Sequence, residues 1–193
     1  MYYCVRLECF ELIGYKTFWW CYLDLKSLIR DVPDYPSAGI LFRDLTPVMA
    51  DPPAMQYITK TLSDHLRSLN VEALAAIDSR GFIFGAPVAS VLDIPFLPIR
   101  KAGKLPPPVV GVDYSLEYGS ARLELTTTAV EKGQRVAVVD DLLATGGSAG
   151  AGVKLVTELG AQVVSIAFLV ELEFLNGRSV LPNDVDVFSM VKY

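Results

Sequence analysis

The sequence predicts an α/β fold, a mostly parallel central sheet flanked by helices. Three observations carry this. Short apolar runs alternate with segments of helical spacing from residue 24 to the C-terminus. The chain has 193 residues, 52% hydrophobic and 20% charged, which suits one globular domain with a sizeable core. One apolar strand ends in paired carboxylates and runs through a glycine-rich turn into a helix, the usual setting of a ligand site in such sheets.

Taken in order, Leu25–Asp31 has the spacing of a short helix, and 34–39 is a turn-rich loop, Asp-Tyr-Pro-Ser-Ala-Gly. Met55, Ile58, Leu62, Leu66 and Leu69 form one apolar face, predicting a helix over Pro53–Leu69. Ala73–Ile77 reads as a buried strand, Phe82–Leu92 as a helix and Phe96–Ile99 as a strand. Ala102–Gly119, rich in Gly, Pro and polar residues, is expected to be a long mobile loop. Ala121–Thr127 and Arg135–Val139 are strands. Gly147–Leu159 is a helix stopped by Gly160, and Val163–Val170 and Val185–Met190 are the last strands.

Residues 1–24 stand apart. Tyr2, Tyr3, Phe10, Tyr15, Phe18, Trp19, Trp20 and Tyr22 crowd aromatic groups there, but Glu8, Glu11 and Lys16 interrupt any apolar run. Neither a membrane span nor a signal sequence is expected, so this stretch reads as an atypical extension ahead of a single domain over 25–193. The net charge of -5 argues against nucleic acid or an anionic membrane as partner. Three cysteines, Cys4, Cys9 and Cys21, form no disulfide or metal-ligand pattern and are expected as reduced thiols in a cytoplasmic protein. His65 is the only histidine, on a polar helix face. That leaves little for a His-based triad or zinc site.

The chemistry concentrates in Val136–Ser148. Asp140 and Asp141 end the strand, and Ala144, Thr145, Gly146, Gly147 and Ser148 lead into a helix. Uncapped N–H groups and the helix dipole at such a turn favour a phosphate, and the glycines let backbone approach it closely. Two carboxylates would repel a bare phosphate. They suit a ligand that also offers hydroxyls or carries a divalent cation, so a sugar phosphate with Mg²⁺ fits. An Asp-Asp dipeptide alone would read as a solvated turn, whereas the whole string does not. A second strand-end loop, 78–81 (Asp-Ser-Arg-Gly), offers Ser79 and Arg80. Arg100, Lys101 and Lys104 form a local cationic cluster suited to phosphate oxygens.

These segments resemble the type I phosphoribosyltransferases, and more narrowly their adenine branch. The resemblance spans about Ser27–Tyr193 and rests on five blocks: 33–44 (Pro-Asp-Tyr-Pro, then Gly-Ile-Leu-Phe-Arg-Asp), 78–82, 100–106, 114–119 (Tyr-Ser-Leu-Glu-Tyr-Gly) and 136–148. It implies the type I fold, with a small hood over about 33–46 and a flexible catalytic loop. It also implies transfer of a ribosyl phosphate from phosphoribosyl pyrophosphate (PRPP) to adenine, giving AMP and pyrophosphate, with Mg²⁺ as cofactor and a homodimer as the assembly. By the same resemblance, Asp140 and Asp141 engage ribose hydroxyls and Ala144–Ser148 the 5′-phosphate. Ser79, Arg80, Arg100, Lys101 and Lys104 hold pyrophosphate. Leu41, Phe42, Arg43 and Leu172 line the adenine pocket, and Glu171, beside Leu172, matches a position lining it too. Glu117 exchanges a proton with the base, and Tyr118 lies on the mobile loop. Two departures stand out: three prolines at 106–108 where the family commonly has a glycine, and Ser148 for the usual Thr. Transfer to another nucleobase, and a non-catalytic PRPP-binding regulator, remain the alternatives.

Overall fold

The structure, a computed structural model, describes residues 23–115 and 119–193. Most of the aromatic extension, together with Glu117 and Tyr118, lies outside the described residues. The chain divides into two compact units, Met1–Tyr57 and Ile58–Tyr193.

In the first unit, a single 3-10 turn spans Leu25–Leu28, opened by Asp24, whose Oδ1 accepts from Lys26 N–H at 3.1 Å. The helix expected to run to Asp31 stops there. Val32 and Pro33 favour extended backbone, and Arg30–Pro33 becomes strand β1, antiparallel to β2 over Leu41–Asp44. Cross-strand ion pairs tie the hairpin, Arg30 to Asp44 at 2.7 Å and Arg43 to Asp31. Its connection turns at Asp34, φ 57°, whose carboxylate accepts from Gly39 N–H at 2.7 Å. A short helix, α1 (Thr46–Met49), follows, and α2 (Pro52–Ser68) begins in this unit.

The second unit is built on a seven-stranded sheet. In chain order the strands are β3 (Ala73–Ile77), β4 (Phe96–Lys101), β5 (Val109–Ser115), β6 (Ser120–Thr126), β7 (Arg135–Leu143), β8 (Gln162–Glu171) and β9 (Asp186–Lys192). They lie in the order β5-β6-β4-β3-β7-β8-β9. The five from β4 to β9 are parallel, and β5–β6 is an antiparallel hairpin added at the β4 edge. The expected parallel sheet is therefore present.

The long loop expected over Ala102–Gly119 is not. Its second half is β5, where Val110, Val112 and Tyr114 alternate and pack against the core. The Gly, Pro and polar content of the whole stretch points to a loop despite that alternation. β3 is buried on both faces, as a central parallel strand must be. The period of two divides the faces between α3 (Arg80–Leu92) and α4 (Gly147–Glu158). Gly85 of α3 lies against Leu74 and Ala76, and Gly152 of α4 against Ile77 and Val138. His65 stacks on Phe188 at 4.1 Å and meets Asp186 at 2.7 Å, a packing role on α2.

Candidate active site

Because β3 and β7 are adjacent and parallel, their carboxyl ends open side by side. Asp78-Ser79 follows β3 and leads into α3 at Arg80. Asp140 and Asp141 sit near the end of β7, and Ala144-Thr145-Gly146 leads into α4. A cavity of about 340 Å³ occupies this crevice. Its walls bring together Ser79, Arg80, Lys101, Asp140, Asp141 and the whole run Ala144–Ser148.

Neither loop is closed off by its own side chains. Ser79 and Gly146, the residues preceding α3 and α4, make no side-chain cap hydrogen bond. Backbone donors at both helix starts are thus left for a ligand. Gly146 turns at φ 85°, a conformation that favours glycine. Gly81 permits a close approach: a Cβ there would lie 2.9 Å from the Val139 carbonyl oxygen and 3.1 Å from Asp140 Oδ1.

The two aspartates are 8% and 4% exposed, which matters because buried carboxylates resist ionisation. Burial pushes the Asp140 carboxyl well above the usual carboxylate range, and the adjacent charge of Asp141 pushes it further. Asp141 is also raised by burial, but the Arg80 guanidinium opposes the shift. Arg80 Nε stands 2.8 Å from Asp141 Oδ2 without hydrogen-bond alignment, and that oxygen has no hydrogen-bond partner among the described residues. That oxygen faces a cation instead of an aligned donor, so Arg80 balances the charge at this end of β7. No cluster of three or more metal-ligating side chains occurs among the described residues.

Several expected residues stand outside these walls. Arg100 donates through Nε to Asp78 Oδ2 at 3.1 Å, bracing the first loop from β4. Lys104 is exposed, and its carbonyl accepts from Arg100 at 3.4 Å. Leu172 follows β8 and donates its N–H to the Leu143 carbonyl at 2.9 Å. Leu41, Phe42 and Arg43 belong to β2 of the first unit, where Phe42 meets Tyr35 edge to face at 5.2 Å. Among the wall residues not expected in the site are Tyr114 and Ser115, at the end of β5. Burial and the negative charge of Asp140 push the Tyr114 hydroxyl above its ordinary range. The apolar alternation from Val110 to Tyr114 is the signal that could have found them.

A family model described as a phosphoribosyl transferase domain matches residues 48–192. The chain belongs to the phosphoribosyltransferase family. Within it, the adenine phosphoribosyltransferase of Synechococcus sp. strain CC9902 is 50% identical over 171 residues, 89% of this chain and 98% of its own length. The crystal structure of the Thermoanaerobacter pseudethanolicus adenine phosphoribosyltransferase superposes with a TM-score of 0.84 at 47% identity, covering 88% of this chain and 98% of that one. The Saccharomyces cerevisiae enzyme, solved with adenine and an imino-altritol bisphosphate, gives a TM-score of 0.83 at 38% identity, covering 86% and 96%. The fold is thus the type I phosphoribosyltransferase fold, and this family member falls in its adenine branch.

Proposed function

We propose that the chain transfers the 5-phosphoribosyl group of PRPP to adenine, forming AMP and releasing pyrophosphate, a purine-salvage reaction. The observation that carries this is the meeting, in one cavity, of an uncapped glycine-rich helix start, a buried Asp pair and a second loop whose Arg80 faces that pair. Similarity to adenine phosphoribosyltransferases supports adenine as the acceptor.

In the reaction the bond from ribose C1′ to the pyrophosphate oxygen breaks and one to adenine N9 forms. Backbone N–H groups of Ala144–Ser148 hold the 5′-phosphate. Asp140 and Asp141 accept from the ribose hydroxyls, and their charge stabilises the cationic ribose as pyrophosphate departs. Ser79, Arg80 and Lys101 receive the leaving group, with Arg100 and Lys104 behind them. Leu41, Phe42, Arg43 and Leu172 receive the base. Glu117 takes up the proton that the ring loses, and Tyr118 belongs to the loop that shields the reaction from water. Much of the acceleration comes from positioning.

Mg²⁺ suits the site as a companion of PRPP. It would be held through PRPP, by way of water to Asp140 or Asp141, and when bound it would neutralise charge on the leaving pyrophosphate. A homodimer rests on the resemblance to the type I phosphoribosyltransferases. A cytoplasmic setting rests on the cysteine pattern. Among the described residues no helix is long and apolar enough to cross a membrane.

AMP formation from adenine and PRPP is the test, run on the chain and on a double variant, Asp140→Asn with Asp141→Asn. The chain should turn over and the double variant should lose nearly all activity. Undiminished turnover in the variant would remove the proposed mechanism. Activity with guanine or hypoxanthine but not adenine would remove the assigned base.

A further inference from the structure

A carboxylate outside the cavity is bound to a turn that lies behind it. Glu171, the last residue of β8, is 3% exposed. Arg178 donates to both its oxygens, Nε to Oε1 at 2.6 Å and a terminal nitrogen to Oε2 at 2.8 Å. Such a two-pronged pair fixes orientation as well as distance. Arg178 belongs to a short 3-10 turn, Gly177–Val180. The pair therefore clamps this turn to the end of a central-sheet strand.

The turn touches the backbone of the phosphate loop. A Cβ on Gly177 would lie 2.2 Å from the Ala144 carbonyl oxygen and 3.0 Å from Leu143 Cδ1. A Cβ on Gly146 would lie 2.4 Å from the Gly177 carbonyl oxygen and 2.4 Å from Val180 Cγ2. Two glycines thus let two backbone segments meet with no side chain between them. Leu181, just past the turn, is buried and anchors its far end.

We infer that Glu171 and Arg178 are positioning residues for the phosphate loop, holding the turn Gly177–Val180 against Ala144–Gly146 so that the loop's N–H groups converge on one point. The inference rests on the ribosyl-phosphate reading of that loop. Its physical logic is one of support. A loop that must present free donors cannot be held by side chains capping those donors, and α4 has no such cap. Rigidity has to come from behind. A buried carboxylate stays ionised most readily when paired, and the Arg178 guanidinium holds the Glu171 carboxyl below its usual range, so the clamp stays charged.

The test uses the full chain with Arg178→Ala, Arg178→Lys and Gly177→Ala, and Leu66→Val in α2 as a stability control. KM for PRPP, KM for adenine, kcat, Tm and calorimetric PRPP binding are measured for each. Arg178→Ala should raise the PRPP KM and Kd about tenfold with kcat changed less than about threefold. Arg178→Lys should fall between it and the parent, because an ammonium cannot reproduce the two-pronged contact. Gly177→Ala should weaken PRPP binding with the ion pair intact, and Leu66→Val should lower Tm without moving it. Should Arg178→Ala fail to fold, Arg178→Lys and Gly177→Ala decide. Unchanged PRPP binding in both of those, or an equal loss in Leu66→Val, would overturn the inference. A parent that binds PRPP but forms no AMP would remove the adenine reading and leave this one standing.

Discussion

Arg80 Nε lies 2.8 Å from Asp141 Oδ2, so the first residue of α3 closes on the acidic end of β7. This contact links the two loops that follow the adjacent strands β3 and β7. It also offsets part of the effect of burial on the Asp pair. Burial raises Asp141, and Arg80 opposes that rise. Removing Arg80 therefore moves the Asp141 carboxyl further upward. If ionised Asp141 is needed for turnover, Arg80→Ala shifts the acid limb of the kcat/KM profile to higher pH. If Arg80 holds pyrophosphate as proposed, its loss should also raise the PRPP KM roughly ten- to hundredfold. A pH series on both proteins checks the two effects together.

Asp140 should work against the stability of the ligand-free fold. Its carboxyl is raised in the folded state, chiefly by burial. Below the ordinary carboxylate range it is neutral whether folded or unfolded, and the penalty is absent. As pH rises through the folded-state value, the unfolded chain ionises more readily and stability falls. Asp140→Asn keeps the acceptor for Asp141 N–H, which Oδ1 now receives at 2.9 Å. The variant should gain about 1 kcal/mol at neutral pH, a Tm rise of roughly 2–4 °C, and lose the gain in acid. AMP formation should collapse. Thermal unfolding at several pH values measures it.

Gly146→Ala meets two obstacles. The residue sits at φ 85°, and its Cβ would lie 2.4 Å from the Gly177 carbonyl oxygen. We expect a loss of about 1–3 kcal/mol in stability. The PRPP KM should rise more than the adenine KM, because the displaced backbone is the phosphate loop. Denaturant unfolding and steady-state kinetics separate the two losses.

Phe42→Ala tests the base side. The ring stands edge to face with Tyr35 at 5.2 Å on the hairpin of the first unit. If it stacks on adenine, truncation should cost about 1–3 kcal/mol of base binding, raising the adenine KM roughly ten- to hundredfold. The PRPP Kd should stay near that of the parent. Calorimetry with PRPP alone, beside kinetics with varied adenine, gives the answer.

Legibility in the sequence followed locality. The strand Arg135–Val139, the paired aspartates and the glycine turn are contiguous, so phosphate loop and carboxylates could be read directly. β5 was hidden because the Gly- and Pro-rich composition of the stretch from Ala102 outweighed the alternation that Val110, Val112 and Tyr114 carry. The hairpin β1–β2 was half hidden, since Leu25–Ile29 has helical spacing up to the point where Val32 and Pro33 reverse the preference. Glu171 was placed near the base pocket by resemblance, yet nothing in its neighbours named Arg178 as its partner.

The sequence by itself determined the kind of ligand and the class of fold, because both depend on short-range pattern: apolar periodicity, uncapped helix starts, and two carboxylates after a buried strand. Tertiary structure alone decided which cations face those carboxylates. Arg80 reaches Asp141 because β3 and β7 are hydrogen-bonded neighbours, while Arg100 turns to Asp78 instead. It alone also joined Gly177 to Ala144 and Glu171 to Arg178. Such contacts depend on strand order, chain reversal and close backbone approach, between separate segments for Gly177 and Ala144 and across one short turn for Glu171 and Arg178, and they leave no mark in local periodicity.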